Sequence, residues 1–467
     1  MQRRTVLEFL GLSSLPLLSW AQHKKATWDV LVIGAGAAGF MAALFAQQTG
    51  AKNVAIIEKR SIVGGHTLVS SGSLNVFDPK NPHGDSPQRY FQDTFLAGNR
   101  KGNPILIQTM IQESFSAFSY LKNLGVPFDP EPFEAYNGLY PRARHASSQR
   151  SGFIYIQHLA QATRKANIPI LFQHKAESLL LDEKHRIRGI RVSTPNGDKT
   201  LLTRSVILAT GGFTGNLALR KRWIPSIPSS MGTTYNVHNT ALDPATGDGI
   251  LMAEQIGAKL CDMDAVMAIP YWGGRSLDYP GAEIFLNEKG ERFTNETRTW
   301  NHILEDLTAS KSSSFWVITD QQSIKGPTFA NKLQQKIIRT ARDIKELALI
   351  MHVPPRVLQK SLQNYNIAAQ QGFDPQFGRT QFTQRIDQPP YYVGKEQFHL
   401  HYCCGGIAIT PQAQVQGKNG IIPGLFAAGE TTGGIHGEFR LGGNGLTDAF
   451  VFGMIAGKEA GQYSLKI

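Results

Sequence analysis

Cysteine is scarce: Cys261, Cys403 and Cys404 are the whole complement of a 467-residue chain. Adjacent cysteines rarely bridge each other, because disulfide geometry needs separated Cα atoms, so a disulfide scaffold is not expected. The sequence has no Cys-x-x-Cys-His, which excludes a c-type haem held by this chain. It also has no zinc-ligand spacing and no cysteine cluster for an iron–sulfur centre, so no metal site is expected. Past the N-terminal segment no apolar run is long enough to span a bilayer, and stable membrane insertion is not expected. No internal repeat stands out. Lys and Arg outnumber Asp and Glu by 48 to 36, for a formal charge of +12. They are scattered without a basic run interleaved with aromatics, so nucleic acid is not the expected partner. A positive field that gathers anionic small molecules or an acidic protein fits better.

What is present is glycine, 46 residues of it, in a chain longer than one compact core usually holds. The expectation is an α/β protein of two or three lobes. At the N-terminus Arg3-Arg4 precede an apolar run from Phe9 to Trp20, and Ser19-Trp20-Ala21 suits cleavage after Ala21. Residues 1–21 therefore read as a Tat-like export signal, which implies a periplasmic protein folded around a cofactor before export. A Sec signal or a retained anchor is the alternative.

The strongest motif follows. Trp28-Asp29-Val30-Leu31-Val32-Ile33 reads as a buried strand, and Gly34-Ala35-Gly36-Ala37-Ala38-Gly39 opens a helix. In this G-x-G-x-x-G, Gly34 permits the tight turn, Gly36 lets the backbone approach a pyrophosphate, and Gly39 lets helix and strand pack closely. The helix N-terminus offers N–H groups and a positive dipole to phosphates. About 20 residues on, the strand Val54-Ala55-Ile56-Ile57 ends at Glu58, placed for ribose hydroxyls and unfavourable to a 2′-phosphate. A second glycine and hydroxyl loop, Val63-Gly64-Gly65-His66-Thr67 and Ser70-Ser71-Gly72-Ser73, is superfluous for a nicotinamide domain and points to FAD.

With these residues the chain resembles the fumarate reductase and flavocytochrome c flavoprotein family, in the form of a soluble periplasmic member without a haem domain. The likeness continues in Ala209-Thr210-Gly211-Gly212, in Ala245-Thr246-Gly247-Asp248-Gly249 and in Leu425-Phe426-Ala427-Ala428-Gly429-Glu430. It implies a Rossmann-like FAD-binding domain in two stretches, 27–259 and 400–467, with an inserted α+β capping domain over 260–399. Cofactor contacts are then expected from Gly34, Gly36, Ala38, Gly39, Glu58, Lys59, Gly65, His66, Thr67, Ser71, Gly72 and Ala176. Thr210, Gly211, Asp248, Glu430, Gly445 and Leu446 complete that set. His66 stands where membrane-bound members carry a histidine linked to the FAD 8α carbon. Non-covalent FAD is the expectation, with a covalent link through His66 as the alternative.

At the substrate end, the resemblance implies that Arg440, in Gly437-Glu438-Phe439-Arg440-Leu441-Gly442-Gly443-Asn444, clamps a carboxylate, with Gly443 beside it. His401, in His401-Tyr402-Cys403-Cys404-Gly405-Gly406, is expected to bond the same carboxylate. Hydride would pass from flavin N5 to the carbon β to that carboxylate, and a proton to the α carbon. The family's proton-donating arginine follows a G-x-R-F-x-N-E segment. Here Gly290-Glu291-Arg292-Phe293-Thr294-Asn295-Glu296 keeps the segment, but the slot holds Trp300, so Arg298 is the candidate acid and Tyr279 or Tyr402 the fallback. The position of a far-carboxylate histidine is Ile269. Ile269, Tyr271 and Trp272 thus suggest an apolar pocket for an unsaturated monocarboxylate of the acrylate, methacrylate or cinnamate type, although Arg275 offers another route to an anion site.

No internal redox centre or second dinucleotide fold is recognisable, so a separate c-type cytochrome is the expected electron donor. The expected role is a respiratory terminal reductase. Fumarate reduction, a ketosteroid-type dehydrogenase and a non-catalytic flavin-binding electron-transfer protein stay open as alternatives.

Overall fold

The computed structural model describes residues 27–467 apart from 136–137, 147–150, 237–241, 278–280 and 327. The expected export signal, 1–21, and the fallback donor Tyr279 lie outside the described residues.

Runs of β-branched and aliphatic residues make the central sheet. Its main path runs Gln414–Gly417, Gly420–Ala427, Lys199–Leu208, Trp28–Ile33, Val54–Ile57, Ile170–Leu171. Every pairing on this path is parallel except the first, and the register sets Val30 between Val54 and Ser205. Val30, Leu31, Val32, Ala55 and Ile56 are almost wholly buried, as expected of strands covered on both faces.

One covering layer pairs the helix Ala37–Gln48 with the C-terminal helix Asn444–Lys466. Their closeness is written in small residues. A Cβ at Gly453, Gly457 or Gly461 would come within 2.6 Å of Ala38 O, 2.3 Å of Ala42 O and 1.9 Å of Thr49 Oγ1 respectively. Spacing of four residues keeps these glycines on one helix face, so the last helix is held directly against the dinucleotide helix.

A second sheet, antiparallel and four-stranded, runs Ile284–Leu286, Phe315–Thr319, Tyr391–Glu396, Ile338–Ala341. Helices Ile344–Met351 and Pro355–Gln371 cover it through Leu347, Met351, Leu358, Leu362 and Tyr365. Beneath lies a chain of buried charges: Arg292 pairs with Glu296 at 2.9 Å and Asp374 at 2.8 Å, and Arg379 with Glu296 at 2.6 Å. The G-x-R-F-x-N-E segment thus has structural work, since Arg292 and Glu296 bind each other.

Between the two sheets runs an antiparallel ribbon, Val266–Pro270 with Phe398–Cys403. Ile269 faces His399 and Met267 faces Tyr402, with a register shift between Met267 and Ala268. Trp300, Phe285, Phe315 and Phe398 belong to the large core of the first sheet, so apolar packing is continuous across the seam.

Candidate active site

One elongated cavity of about 550 Å³ runs from the glycine-rich turn to the ribbon and the second sheet. At its first end the Trp28–Ile33 strand stops in Gly34, at φ 108°, where a Cβ would lie 2.2 Å from Ala209 O. Only glycine fits there. A Cβ on Gly39 would lie 1.9 Å from Gly34 O, so Gly39 serves the packing of helix on strand and does not line the cavity. Gly36, Gly65 and Gly211 do line it. A Cβ at Gly36 would meet nothing nearer than 3.9 Å, and at Gly65 or Gly211 nothing within 4 Å. The backbone there faces open space, as a cradle for a pyrophosphate and a ring system should.

Glu58 ends its strand beneath this turn, accepting the N–H groups of Ala35 at 3.0 Å and Arg60 at 2.9 Å. Lys59 pairs with Asp248 at 2.8 Å and donates to Pro244 O and to Thr246. Ala38, Thr67, Ser71, Gly72, Ala176, Thr210, Gly445 and Leu446 all line the same cavity. The residues fit a dinucleotide with a long ring system.

His66 sits midway. Its Nε2 is 2.8 Å from Asp243 and its Nδ1 is 3.3 Å from Glu430. Its ring stacks 5.5 Å from Tyr235, whose hydroxyl accepts from Arg60 at 2.7 Å. Burial opposes a charge on His66, but Glu430 and Asp243 outweigh it and push the imidazole up to about 10. His66 is therefore an imidazolium at neutral pH, with both nitrogens engaged by carboxylates.

His401 is the opposite case. Burial first, then the cations Arg440 and His66, push it down to about 3, so it is neutral. Thr234 Oγ1, 3.0 Å from His401 Nδ1, fixes the ring. Arg440 is buried, with its guanidinium carbon 4.9 Å from the Tyr402 ring centroid and one nitrogen donating to Leu441 O at 3.0 Å. Among the described residues its Nε has no hydrogen-bond acceptor and no carboxylate lies within ion-pair distance. Tyr402 is held in turn, donating to Asp448 at 2.9 Å. Gly443 also lines the cavity, and its φ of 89° starts the last helix beside Arg440.

At the far end Ile269, Pro270, Tyr271, Arg275 and Trp300 form the wall. The structure does not bring Arg298 there. The helix Trp300–Ala309 starts just after it, and its Asp306 holds Arg298 at 2.9 Å, 38% exposed, away from the cavity. Trp272 is also outside the wall: its N–H is tied to Glu396 at 2.7 Å and it is 40% exposed. Arg275 is the arginine that arrives, its guanidinium carbon 5.3 Å from the Trp300 ring centroid. Its partner Glu283 and the loop anchor Glu396 are buried carboxylates that burial pushes up. Neither acid shows a motif in the sequence.

The sequence profile of the family described as "FAD binding domain" matches residues 29–446. The chain belongs to the FAD-dependent fumarate reductase flavoprotein family. A probable fumarate reductase of Shewanella frigidimarina is 31% identical over 455 residues, covering 94% of this chain and 76% of that protein. An acrylate reductase flavoprotein subunit of Shewanella woodyi is 27% identical, covering 98% and 97%. The open conformation of a flavocytochrome c3 fumarate reductase superposes with a TM-score of 0.76 at 28% identity, covering 100% of this chain and 82% of that one. The protein is thus an FAD oxidoreductase acting on carbon–carbon double bonds, with the mixed α/β fold of these flavoproteins. No helix among the described residues is long and apolar enough to cross a membrane, and no cluster of metal-ligating side chains occurs among them.

Proposed function

We propose that the protein reduces the double bond of an α,β-unsaturated monocarboxylate with a small apolar or aromatic tail, of the acrylate, methacrylate or cinnamate type. The observation that carries this reading is the pairing of ends: a buried Arg440 with no carboxylate among the described residues in ion-pair range at one, and Ile269 with Trp300 at the other. A substrate carboxylate completes Arg440 with charge-assisted bonds, while the tail lies on the apolar wall. FAD, when bound, supplies the hydride for the β carbon. Arg440 and neutral His401 stabilise the negative charge that builds on the carboxylate side. Tyr402 orients Arg440 and directs its own proton to Asp448. The proton for the α carbon comes from the far wall, where Tyr271 stands in place of Arg298.

His66 supports non-covalent FAD. A nitrogen must present a lone pair to be alkylated, and both nitrogens of His66 serve carboxylates instead. Acid precipitation that left yellow colour on the protein would overturn this. The Tat-like segment supports export, and the lack of haem motifs supports a separate periplasmic c-type cytochrome as donor in a terminal reductase.

Fumarate reduction is the second reading, favoured by Arg275 in the cavity wall. A ketosteroid-type dehydrogenase has no use for a carboxylate-seeking Arg440, and any enoate turnover excludes a non-catalytic role. The deciving experiment oxidises reduced viologen with fumarate, acrylate, methacrylate, cinnamate and urocanate in turn. Methacrylate, acrylate or cinnamate is expected to outpace fumarate; no turnover with any of them would overturn the proposal.

A further inference from the structure

Arg275 stands on a loop held from three directions. Buried Glu396 accepts the N–H groups of Trp272 at 2.7 Å and of Arg275 at 3.0 Å. Lys332 Nζ donates to Arg275 O at 2.8 Å. The guanidinium rests on Trp300 and gives two hydrogen bonds to one oxygen of Glu283, from Nε at 2.9 Å and from a terminal nitrogen. So fixed an arginine, facing a cavity, has the form of a second carboxylate receptor. Its charge, however, is already met.

The guanidinium of Arg275 opposes the burial that pushes the Glu283 carboxyl up, and the side chain of Glu283 is 2% exposed. Arg379 does not alter the balance, because it donates to the backbone oxygen of Glu283 and spends its charge on Glu296. An incoming second carboxylate would compete with Glu283 for the same guanidinium and approach a buried anion, where like charges repel strongly. A neutral tail meets neither cost.

We propose that Glu283 is a selectivity-determining residue: by neutralising Arg275 it turns the far wall from a dicarboxylate receptor into a seat for an uncharged tail. This rests on the reading that Arg440 anchors the carboxylate of an enoate. Glu283 does not line the cavity; it acts through Arg275.

The test is made on the FAD-loaded, oxidised protein, titrated with fumarate and with methacrylate while the flavin absorbance is followed. Glu283→Gln keeps the shape and an acceptor oxygen but removes the charge. The ratio of fumarate Kd to methacrylate Kd is expected to fall about tenfold, the worth of one charge-assisted contact. In Arg275→Gln/Glu283→Gln the ratio is expected to return to within about twofold of the parent's. Arg275→Gln alone, which needs no stable Glu283 variant, is expected not to lower the ratio, because it removes the cation and leaves Glu283 without its partner. An unchanged ratio in Glu283→Gln, a fall that persists in the double variant, or a tenfold fall in Arg275→Gln would each overturn the inference. If methacrylate perturbs the parent flavin and the ratios behave in one of those ways, only the selectivity role falls. If no acid perturbs it, the carboxylate reading falls and takes this inference with it.

Discussion

Arg440 and Arg275 are both arginines in the wall of one cavity, each stacked on an aromatic ring, yet they are built for different ends. Arg440 rests on Tyr402 with a backbone carbonyl as its acceptor and, among the described residues, no carboxylate in range. Arg275 rests on Trp300 with buried Glu283 already bonded. A guanidinium's meaning therefore lies in its counter-charge. Where the protein withholds one, a ligand is called for; where it supplies one, the arginine becomes part of the wall.

Removing the two arginines should separate these roles. In Arg440→Ala, kcat/KM for the best enoate should fall on the order of 10²- to 10³-fold in a viologen-linked assay, with FAD content unchanged, because a buried substrate carboxylate loses its partner. An unaltered kcat/KM would mean that Arg440 is not the clamp. Arg275→Gln should show its largest effect in stability: leaving Glu283 buried without its cation should lower the unfolding free energy by about 3–5 kcal/mol in denaturant titration. No loss would imply that the ion pair does not hold the loop.

The contrast extends to the two histidines, one charged and one neutral. His66 is raised from 6.5 to about 10 by folding, so its contribution to stability is fully present below pH 6.5 and is lost as the pH rises to about 10. The unfolding free energy of the parent should decline over that window more steeply than that of His66→Gln. Parallel curves would contradict the charged state. The smallest effect belongs to the arginine outside the cavity: Arg298→Ala should keep kcat/KM within about twofold, since an exposed pair with Asp306 contributes little. A large loss there would restore Arg298 as the acid.

The cofactor end was legible because its signals are local. Gly34, Gly36 and Gly39 meet one turn, and Glu58 lies at the end of the adjacent strand; spacing along the chain is spacing in the fold. Thr210, Asp248 and Glu430 were reached by resemblance, and each lies on the same cavity. The far wall was less legible because distant contacts orient it. Arg298 and Trp300 are two residues apart, but the start of one helix turns Trp300 inward and leaves Arg298 with Asp306. Trp272 and Arg275 share a loop, and which of them faces the cavity is decided by Glu396 from another strand and by Glu283 across the wall. No periodicity in residues 271–275 carries that information.

The most direct measurement compares methacrylate with its methyl ester as the oxidant of reduced viologen in the presence of the FAD-loaded parent protein. The ester keeps the double bond and the tail and lacks only the charge that Arg440 seeks. Turnover of the acid with the ester slower by about 10²-fold or more is the predicted result. Equal rates, or a faster ester, would contradict the carboxylate-anchored account.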